Sequence, residues 1–329
     1  MTVNIQTIKQ ALHHESFQKD ELTGVFYATY LQALKEDALD DWISAFNPND
    51  LFDRTIVFSC HAVRQFQEYG QQVFYLSQDI AWMLNMTKLP KLPLDVIKFP
   101  YPGFYIKIPE SMNLLLTDED KQLDVVTGVY VTDFSHIREN TDLIGQDIPR
   151  ILFHIITKSV VGASGFGNYS FIISDHRDDL EKYIDDAALE VSNADSLKSV
   201  LRIAFNLLFY LNAENAETEK VDNDAEIREL KCKLKNNKLK DHKRCKLQKR
   251  LNRAKKQAVV TIVAPSLKVK HLSCAGSSGI SRRRHWVRGH HHHYWTGSGE
   301  DRQIILKWVK AFERGDTAAE VIRKHYEVK

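Results

Sequence analysis

A run of four histidines lies inside the chain, in the segment 284–299, which reads RHWVRGHHHHYWTGSG. If residues 284–295 form a β-strand, their side chains alternate between two faces. One face then collects Arg284, Trp286, Arg288, His290, His292 and Tyr294. The other collects His285, Val287, Gly289, His291, His293 and Trp295. The first face combines cations, imidazoles and aromatic rings, which suits contact with phosphates and stacking on bases, or recognition of an acidic or aromatic peptide.

The same histidines permit other kinds of chemistry. His290 and His292, with Tyr294, could cleave RNA without a metal, one imidazole taking the 2′-hydroxyl proton and the other protonating the leaving group. Histidines two apart on a strand could also chelate a metal, but no carboxylate or thiolate partner is evident in the local sequence. The remaining alternative is a plain edge hairpin whose histidines face solvent. No catalytic residue is therefore assigned, and a role without enzymatic activity is preferred.

A second set of metal ligands is a repeated His-x-x-Cys pair. The set comprises Cys232, His242, Cys245, His271 and Cys274. Zinc accepts four nitrogen and sulfur ligands, often as two close pairs, so a zinc site is chemically sensible. However, Cys232 and the first pair lie among lysines, whose positive charge disfavours a bound cation. We therefore predict neither a metal nor another cofactor.

The residues after the histidine run predict a returning strand. TGSGED, residues 296–301, is typical of a turn, and residues 302–312 then read as a strand that forms a hairpin with the first. The side chains expected in the core on one face of the returning strand are Ile304, Leu306, Trp308 and Phe312. Lys307 points to the opposite face, where it could join the cationic surface.

Upstream, the hydrophobic period changes from helical to strand-like near Pro100. The first ninety or so residues predict helices, with Val73, Leu76 and Ile80 taken as part of one helical pattern. Strands are predicted at 104–109, 125–134, 151–157, 168–174 and 258–265, and helices at 180–190 and 197–211. Ser174 or Asp175 is expected to cap the helix that begins near Leu180. Short connections favour antiparallel pairing. The predicted class is α+β, with a helical N-terminal region, a mostly antiparallel central sheet with packed helices, and a C-terminal β-hairpin.

Composition divides the chain into four consecutive regions. They are a helical region 1–97, an α+β core 98–215, a charged and mobile insertion 216–257, and a β-rich segment 258–329 that contains the hairpin. In the insertion, an acidic stretch runs into residues 228–256, where lysine and arginine take about half of the positions. Leucines spaced by four predict a partly amphipathic helix as an alternative to a mobile segment. The segment suits phosphate backbones but has no aromatic residue to stack on bases, so any RNA binding there would ignore sequence.

The remaining composition gives few constraints on partners. The net charge is only +2, and the four cysteines lack the paired spacing of a secreted scaffold. The N-terminus has no apolar signal segment, and the apolar stretch 203–213 is shorter than the ~20 residues that a membrane span needs. We therefore expect a soluble protein of the reducing cytoplasm with no membrane partner.

Residues 285–308, HWVRGHHHHYWTGSGEDRQIILKW, resemble the C-terminal signature of an anti-CRISPR family that acts against the type V-A CRISPR effector nuclease. The matching positions, without a gap, are His285, Arg288, Gly289, His290, His292, Tyr294, Trp295, Gly297, Gly299, Lys307 and Trp308. Weaker similarity covers the strand at 104–109, the strand at 128–131 and the apolar helix at 207–211. The lysine-rich segment and the His-x-x-Cys pairs depart from the pattern.

The resemblance implies an inhibitor that lowers production of the effector at the level of its message and nascent chain, rather than one that blocks the assembled nuclease. The implied partner is a target protein or its nascent chain, with RNA or a ribosome-associated complex as a second candidate. The residues predicted to bind RNA or peptide are Arg284, His285, Arg288, His290, His292, Tyr294, Trp295 and Lys307. Gly289, Gly297, Gly299 and Trp308 would be structural. A metal-independent endoribonuclease using His290 and His292, and a sequence-blind RNA-binding accessory protein, remain the alternatives.

Overall fold

The computed structural model describes most of the chain between residues 21 and 314. The described ranges are 21–47, 51–92, 94–117, 123–133, 149–159, 168–174, 179–189, 193–221, 224–235, 241–255, 258–267, 285–287, 289–297, 303–309 and 312–314. The helices are α1 Glu21–Lys35, α2 Leu39–Ser44, α3 Leu51–Glu68, α4 Gln78–Met86, α5 Leu180–Ala188, α6 Ala194–Leu211, α7 Asp224–Leu234 and α8 Asp241–Lys255. The strands are β1 Gln72–Tyr75, β2 Gly103–Lys107, β3 Leu115–Thr117, β4 Leu123–Asp133, β5 Pro149–Ser159, β6 Asn168–Ser174, β7 Thr218–Val221, β8 Val259–Val263, β9 His285–Val287, β10 His290–Thr296, β11 Gln303–Val309 and β12 Phe312–Arg314.

These elements form two compact units that interleave along the chain. The sheet unit comprises Met1–Leu76, Phe99–His176 and Thr218–Val263, and the hairpin unit comprises Ser77–Lys98, Arg177–Glu217 and Ala264–Lys329. Each unit is assembled from three separate segments of the chain, whereas the four regions expected from composition follow chain order. None of the helices in the described ranges is both long and apolar enough to cross a bilayer.

The sheet unit is built on one mixed sheet. Its strand order is β6-β5-β4-β2-β1-β8-β7, and β3 pairs with β4 off this path. Strand β1 runs parallel to both β2 and β8, whereas the other pairs in this sheet are antiparallel. The predicted α+β class and the mostly antiparallel sheet are therefore confirmed, and five predicted strands correspond to β2, β4, β5, β6 and β8.

Strand β1 corrects the prediction that the first ninety residues are helical. Gly70, with a φ of +82°, follows the end of α3, and residues 72–75 then form a strand in which Val73 and Phe74 are both buried. A strand with parallel neighbours on both sides buries both faces, so its apolar residues run together instead of alternating. The helical spacing of Val73, Leu76 and Ile80 is only apparent, because it runs from this strand into the separate helix α4. Helix α4 begins after Ser77, whose side chain caps it by accepting a hydrogen bond from the Ile80 amide.

The core of the sheet unit lies between α3 and one face of the sheet. Tyr105 and Tyr130 are directly opposite each other on β2 and β4, with ring centroids 4.8 Å apart, and Phe66 of α3 packs edge-on against Tyr130 at 5.2 Å. Gly128 allows β4 to approach β2 this closely. A Cβ atom at Gly128 would lie 2.2 Å from the Tyr105 hydroxyl oxygen and 2.4 Å from the Ile106 carbonyl oxygen.

The charged insertion forms two helices, α7 and α8, which connect the antiparallel strands β7 and β8. We call this pair of helices the basic arm. Its small apolar core consists of Leu230, Leu251 and Ala254, with Ile227, Leu234 and Leu247 packed against it. The leucines spaced by four thus lie on two helices that pack against each other.

The hairpin unit contains α4, α5, α6 and the C-terminal strands. Helix α5 is capped by Asp179, whose carboxylate accepts from the amides of Glu181 and Lys182. The predicted caps Ser174 and Asp175 are wrong, because the chain enters the helix only at Asp179, which is the residue close enough to reach the free amides of the first turn.

The C-terminal hairpin has the predicted course but is interrupted. Instead of one strand at 284–295, the chain forms β9 paired with β12 and β10 paired with β11, and both ladders keep the same register. Gly289, the one described residue between β9 and β10, belongs to neither strand. Gly289 lies on this break, and a glycine without a side chain to pack weakens a strand interior.

We expect Gly128→Ala to destabilise the sheet unit, because one of the atoms that its Cβ would meet is a backbone carbonyl that cannot move aside. Overpacking of this kind costs about 1–3 kcal/mol. Urea denaturation of the full chain measures the change in the free energy of unfolding. An unchanged midpoint and slope would contradict the close approach of β4 to β2.

Candidate functional site

Strands β10 and β11 form a two-stranded ladder that we call the histidine hairpin. Directly opposite residues share a face, and the register pairs His291 with Trp308, His292 with Lys307 and Tyr294 with Ile305. His291 and Trp308 are buried, whereas His292 and Lys307 are exposed. Strand parity therefore separates the four histidines: His291 and His293 point to one face, His290 and His292 to the other.

His291 anchors the hairpin to helix α6. Only 8% of the residue is exposed, its Nε2 lies 3.2 Å from Asn206 Oδ1, and its ring packs 5.7 Å from that of Phe209. Asn206 is fully buried and donates both amide hydrogens to backbone carbonyls, those of Leu84 and Thr87, at 2.8 Å each. Because the amide nitrogen is used in this way, Asn206 presents its oxygen to His291. The His291 Nε2 must therefore carry the hydrogen and donate it.

Burial keeps His291 neutral. It lowers the pKa of His291 to about 4, and the neighbouring His290 contributes to the same direction. An imidazole that is buried, uncharged and bonded through Nε2 is suited to positioning and not to binding phosphate or transferring protons. Strand parity places His291 on the face opposite the predicted binding surface, but no local pattern predicts this anchor. The available signal was Asn206, a polar residue within the apolar run IAFNLLFYL that requires a partner when buried.

Trp308 and its neighbours hold the other strand. The Trp308 ring packs edge-on against Tyr210 of α6 with centroids 5.0 Å apart. Asn215 binds the Trp308 backbone twice: its Nδ2 donates to the carbonyl at 2.8 Å, and its Oδ1 accepts from the amide at 2.9 Å. The Glu214 amide donates to the Leu306 carbonyl at 2.9 Å. The segment after α6 thus covers the edge of β11 from Leu306 to Trp308.

The outer end of the hairpin exposes aromatic and cationic side chains. The rings of His292 and Tyr294 lie 4.4 Å apart, and Lys307 Nζ is 5.7 Å from the Tyr294 ring centroid. Lys307 also lies 3.6 Å from the Glu214 carboxylate. Tyr294 is 46% exposed, and Trp295, on the opposite face, is 62% exposed. We call His292, Tyr294, Trp295 and Lys307 the tip surface. Such clustered, exposed aromatic side chains are typical of interaction sites.

Comparison with known proteins identifies the family of the chain. A model of the AcrVA2-like family, described as the anti-CRISPR type V subtype A2 family, matches residues 74–311. This range covers most of the chain and the whole histidine hairpin. This chain belongs to that anti-CRISPR family. The resemblance recognised in residues 285–308 is therefore confirmed.

Among solved structures, the crystal structure of AcrVA2 is similar to this anti-CRISPR chain, with a TM-score of 0.47 and 12% sequence identity. The alignment covers 92% of this chain and 98% of that chain. No curated protein matches the chain in sequence. The family assignment consequently rests on the family model.

The structure describes only some of the other residues predicted for this anti-CRISPR site. Arg284, Arg288 and Gly299 lie outside the described residues. His285 pairs through its backbone with Arg314, and His290 is partly buried next to Lys88, with which it forms an isolated bridge. Gly289 is buried, and Gly297, directly after β10, has a φ of +86°, a conformation that favours glycine.

The structure describes only some of the five side chains that were considered as zinc ligands and not predicted to bind a metal. Cys232 and Cys245 are exposed thiols on the basic arm, and His242 is exposed on α8. His271 and Cys274 lie outside the described residues. Among the side chains that the structure describes, no three potential metal ligands come together.

Replacing His291 with alanine should destabilise the protein, whereas His293→Ala should have little effect. The first change leaves the Asn206 oxygen buried without a donor and opens a cavity, which together cost about 1–3 kcal/mol or more. The second removes an exposed side chain, for which a change within about 0.5 kcal/mol is expected. Thermal and urea unfolding of the two variants provides the comparison. Equal losses of stability would refute the anchoring role.

Stability should also decrease at mildly acidic pH. Burial lowers the pKa of His61 and His291 to about 4 and that of His154 to about 3. Unfolded histidine titrates near 6.5, so below that pH the unfolded chain binds protons that the folded chain does not, and stability falls as pH decreases from about 6.5 towards 4. The free energy of unfolding, measured between about pH 7 and 5, should decrease before most carboxyl groups titrate.

The contribution of His291 to this pH dependence can be isolated. His291→Gln should reduce the decrease, because it removes one of the buried imidazoles. His293→Gln is the matched control at the exposed neighbouring position and should leave the pH dependence unchanged. A free energy of unfolding that is constant over this range would contradict the burial of these imidazoles.

Proposed function

We propose that this anti-CRISPR chain lowers production of a type V-A CRISPR effector by recognising the effector's nascent chain, with the tip surface as the recognition site. The observation that carries the proposal is membership of the anti-CRISPR type V subtype A2 family over residues 74–311. The matched range includes the tip surface. We infer that the chain makes a second contact, either with the effector's message or with a ribosome-associated complex.

The geometry of the tip surface supports a peptide as its target. The base of the hairpin is fixed by His291 and Trp308, so the exposed side chains lose little conformational freedom on binding. Tyrosine and tryptophan offer large contact areas with few rotatable bonds and often dominate binding energy.

The edge of β10 offers a second means of contact. Among the described residues, β10 pairs along its length with β11, and the isolated bridge to Lys88 lies at its first residue, His290. The opposite edge at residues 292–296 can therefore present backbone donors and acceptors to an extended chain. A nascent polypeptide would add as a strand, with alternate side chains reaching the rings of Tyr294 or Trp295.

Substitution of the exposed rings tests the tip surface. In bacteria that express a type V-A effector, we expect Tyr294→Ala with Trp295→Ala to abolish most of the reduction in effector protein. Tyr69→Ala is the control, because Tyr69 is 42% exposed, as Tyr294 is, but belongs to the sheet unit. Effector protein and message are measured together. If the double variant still lowers both as well as the unchanged chain does, the tip surface is not the recognition site.

Recoding the effector gene separates the two targets. Synonymous codons early in the gene change the message but not the peptide, so repression that survives recoding indicates recognition of the nascent chain. Repression that is lost after recoding, but kept with an altered peptide, would contradict the proposal and favour the message. The enzymatic alternative predicts that the purified chain cleaves RNA without a metal and loses this activity after His290→Ala or His292→Ala.

A further inference from the structure

The basic arm exposes positively charged side chains, whereas its apolar side chains pack between its two helices. The described side chains include these exposed basic residues on α7 and α8: Arg228, Lys231, Lys233, Lys243, Arg244, Lys246, Lys249 and Arg250. The apolar residues of these helices, including Leu230 and Leu251, pack between them. The arm therefore has its own small core and directs its charged side chains into solvent.

The acidic residues of α7 neutralise only part of this charge. Glu226 accepts from Arg250 of α8, with the carboxylate 2.8 Å from Nη2, and Glu229 pairs with Lys233 within α7. Lys243, Lys246 and Lys249 have no ion-pair partner among the described side chains. Among the described side chains their charge is thus uncompensated, although acidic residues lie on both helices.

The spacing of these three lysines suits a chain of regularly spaced negative charges. They follow each other at every third residue of α8 and span about 9 Å along the helix axis at 1.5 Å per residue. A nucleic-acid strand presents one phosphate per roughly 3.4 Å along its axis, so each ammonium group finds a phosphate within reach in many registers. Lysine binds phosphate as a point charge, without the fixed geometry that a specific partner would require.

Two other polyanionic partners fit less well. A helix that binds membrane surfaces needs exposed bulky apolar residues beside its cations, and the arm has none among its described exposed side chains. An acidic protein would be recognised through a shaped surface or bidentate pairs. Arg250, one of the exposed arginines of the arm, is already engaged by Glu226.

We infer that the basic arm binds the sugar–phosphate backbone of nucleic acid without sequence preference, through Lys243, Lys246 and Lys249. The arm offers no exposed aromatic residue among its described side chains to stack on bases, so affinity derives from released counterions. This inference does not rest on the proposed function and holds whether or not the tip surface recognises an effector.

The test uses the full chain and a fluorescein-labelled single-stranded RNA of mixed sequence, with anisotropy as the readout. The arm variant combines Lys243→Gln, Lys246→Gln and Lys249→Gln. The control combines Lys35→Gln, Lys91→Gln and Lys158→Gln, three exposed lysines elsewhere, so that both variants lose the same charge. We expect the arm variant to bind at least roughly tenfold more weakly than the control. The slope of log K against log salt between about 50 and 200 mM should fall by about 2, at roughly 0.7 per lost contact to a single strand.

Further probes identify the polyanion. A DNA strand of the same sequence, a scrambled RNA, vesicles that contain phosphatidylserine and a polyglutamate peptide are compared under the same conditions. Similar affinity for both RNAs supports the inference. The affinity for the DNA strand shows whether the sugar contributes to binding. Absence of RNA binding, equal affinity of the arm and control variants, or stronger binding to vesicles or polyglutamate than to RNA would each overturn it. Circular dichroism and thermal unfolding verify that both variants retain the fold.

Discussion

The hydrogen bonds of Asn206 define how the parts of the hairpin unit meet. A buried amide in an apolar helix is costly unless its donors and acceptor are satisfied. Here its two hydrogens go to the carbonyls of Leu84 and Thr87, which end helix α4, and its oxygen accepts from His291 on β10. Apolar burial around α6 has no direction, so it would tolerate small rotations of these elements. The hydrogen bonds of the Asn206 amide do not tolerate such rotations, because a shift of any one element leaves a polar group buried without a partner.

This directional contact matters because the histidine run is ambiguous about its own register. A shift of β10 by one residue would place His290 or His292 at the contact with Asn206, with the same imidazole available. The flanking residues must therefore distinguish the observed register from the shifted ones, since a one-residue slip exchanges the two faces of the strand. Such a slip would also turn Tyr294 towards the face where Leu306 and Trp308 are buried. The aromatic residues beyond the run, together with β11, therefore determine which of four identical residues becomes the anchor.

The features that sequence could predict are those with a strong local signal. The long strands β4, β5 and β6 are rich in β-branched and aromatic residues, the helices α5 and α6 carry a helical period, and parity on β10 correctly grouped His292 with Tyr294. Strand β1 was missed because a central strand with parallel neighbours has no alternation to detect. The anchor at His291 depends on a residue 85 positions away in sequence, and no local pattern reports such a contact. Leucines spaced by four indicated helices in the basic arm, but only their packing shows that the leucines face each other and leave the lysines exposed.

The two surfaces have complementary energetic roles in the functions proposed for them. Phosphate contacts by lysines give micromolar or weaker affinity, of about 10⁻⁴ to 10⁻⁶ M at physiological salt, and cannot select one message from many. The tip surface has few residues and could discriminate by the fit of its rings, but a contact of this size is expected to be weak by itself. Selectivity for one target at low concentration would then require both contacts within the same complex. An inhibitor acting on nascent chains meets polypeptide and RNA together at the ribosome, and there a weak selective contact and a weak unselective contact can reinforce each other.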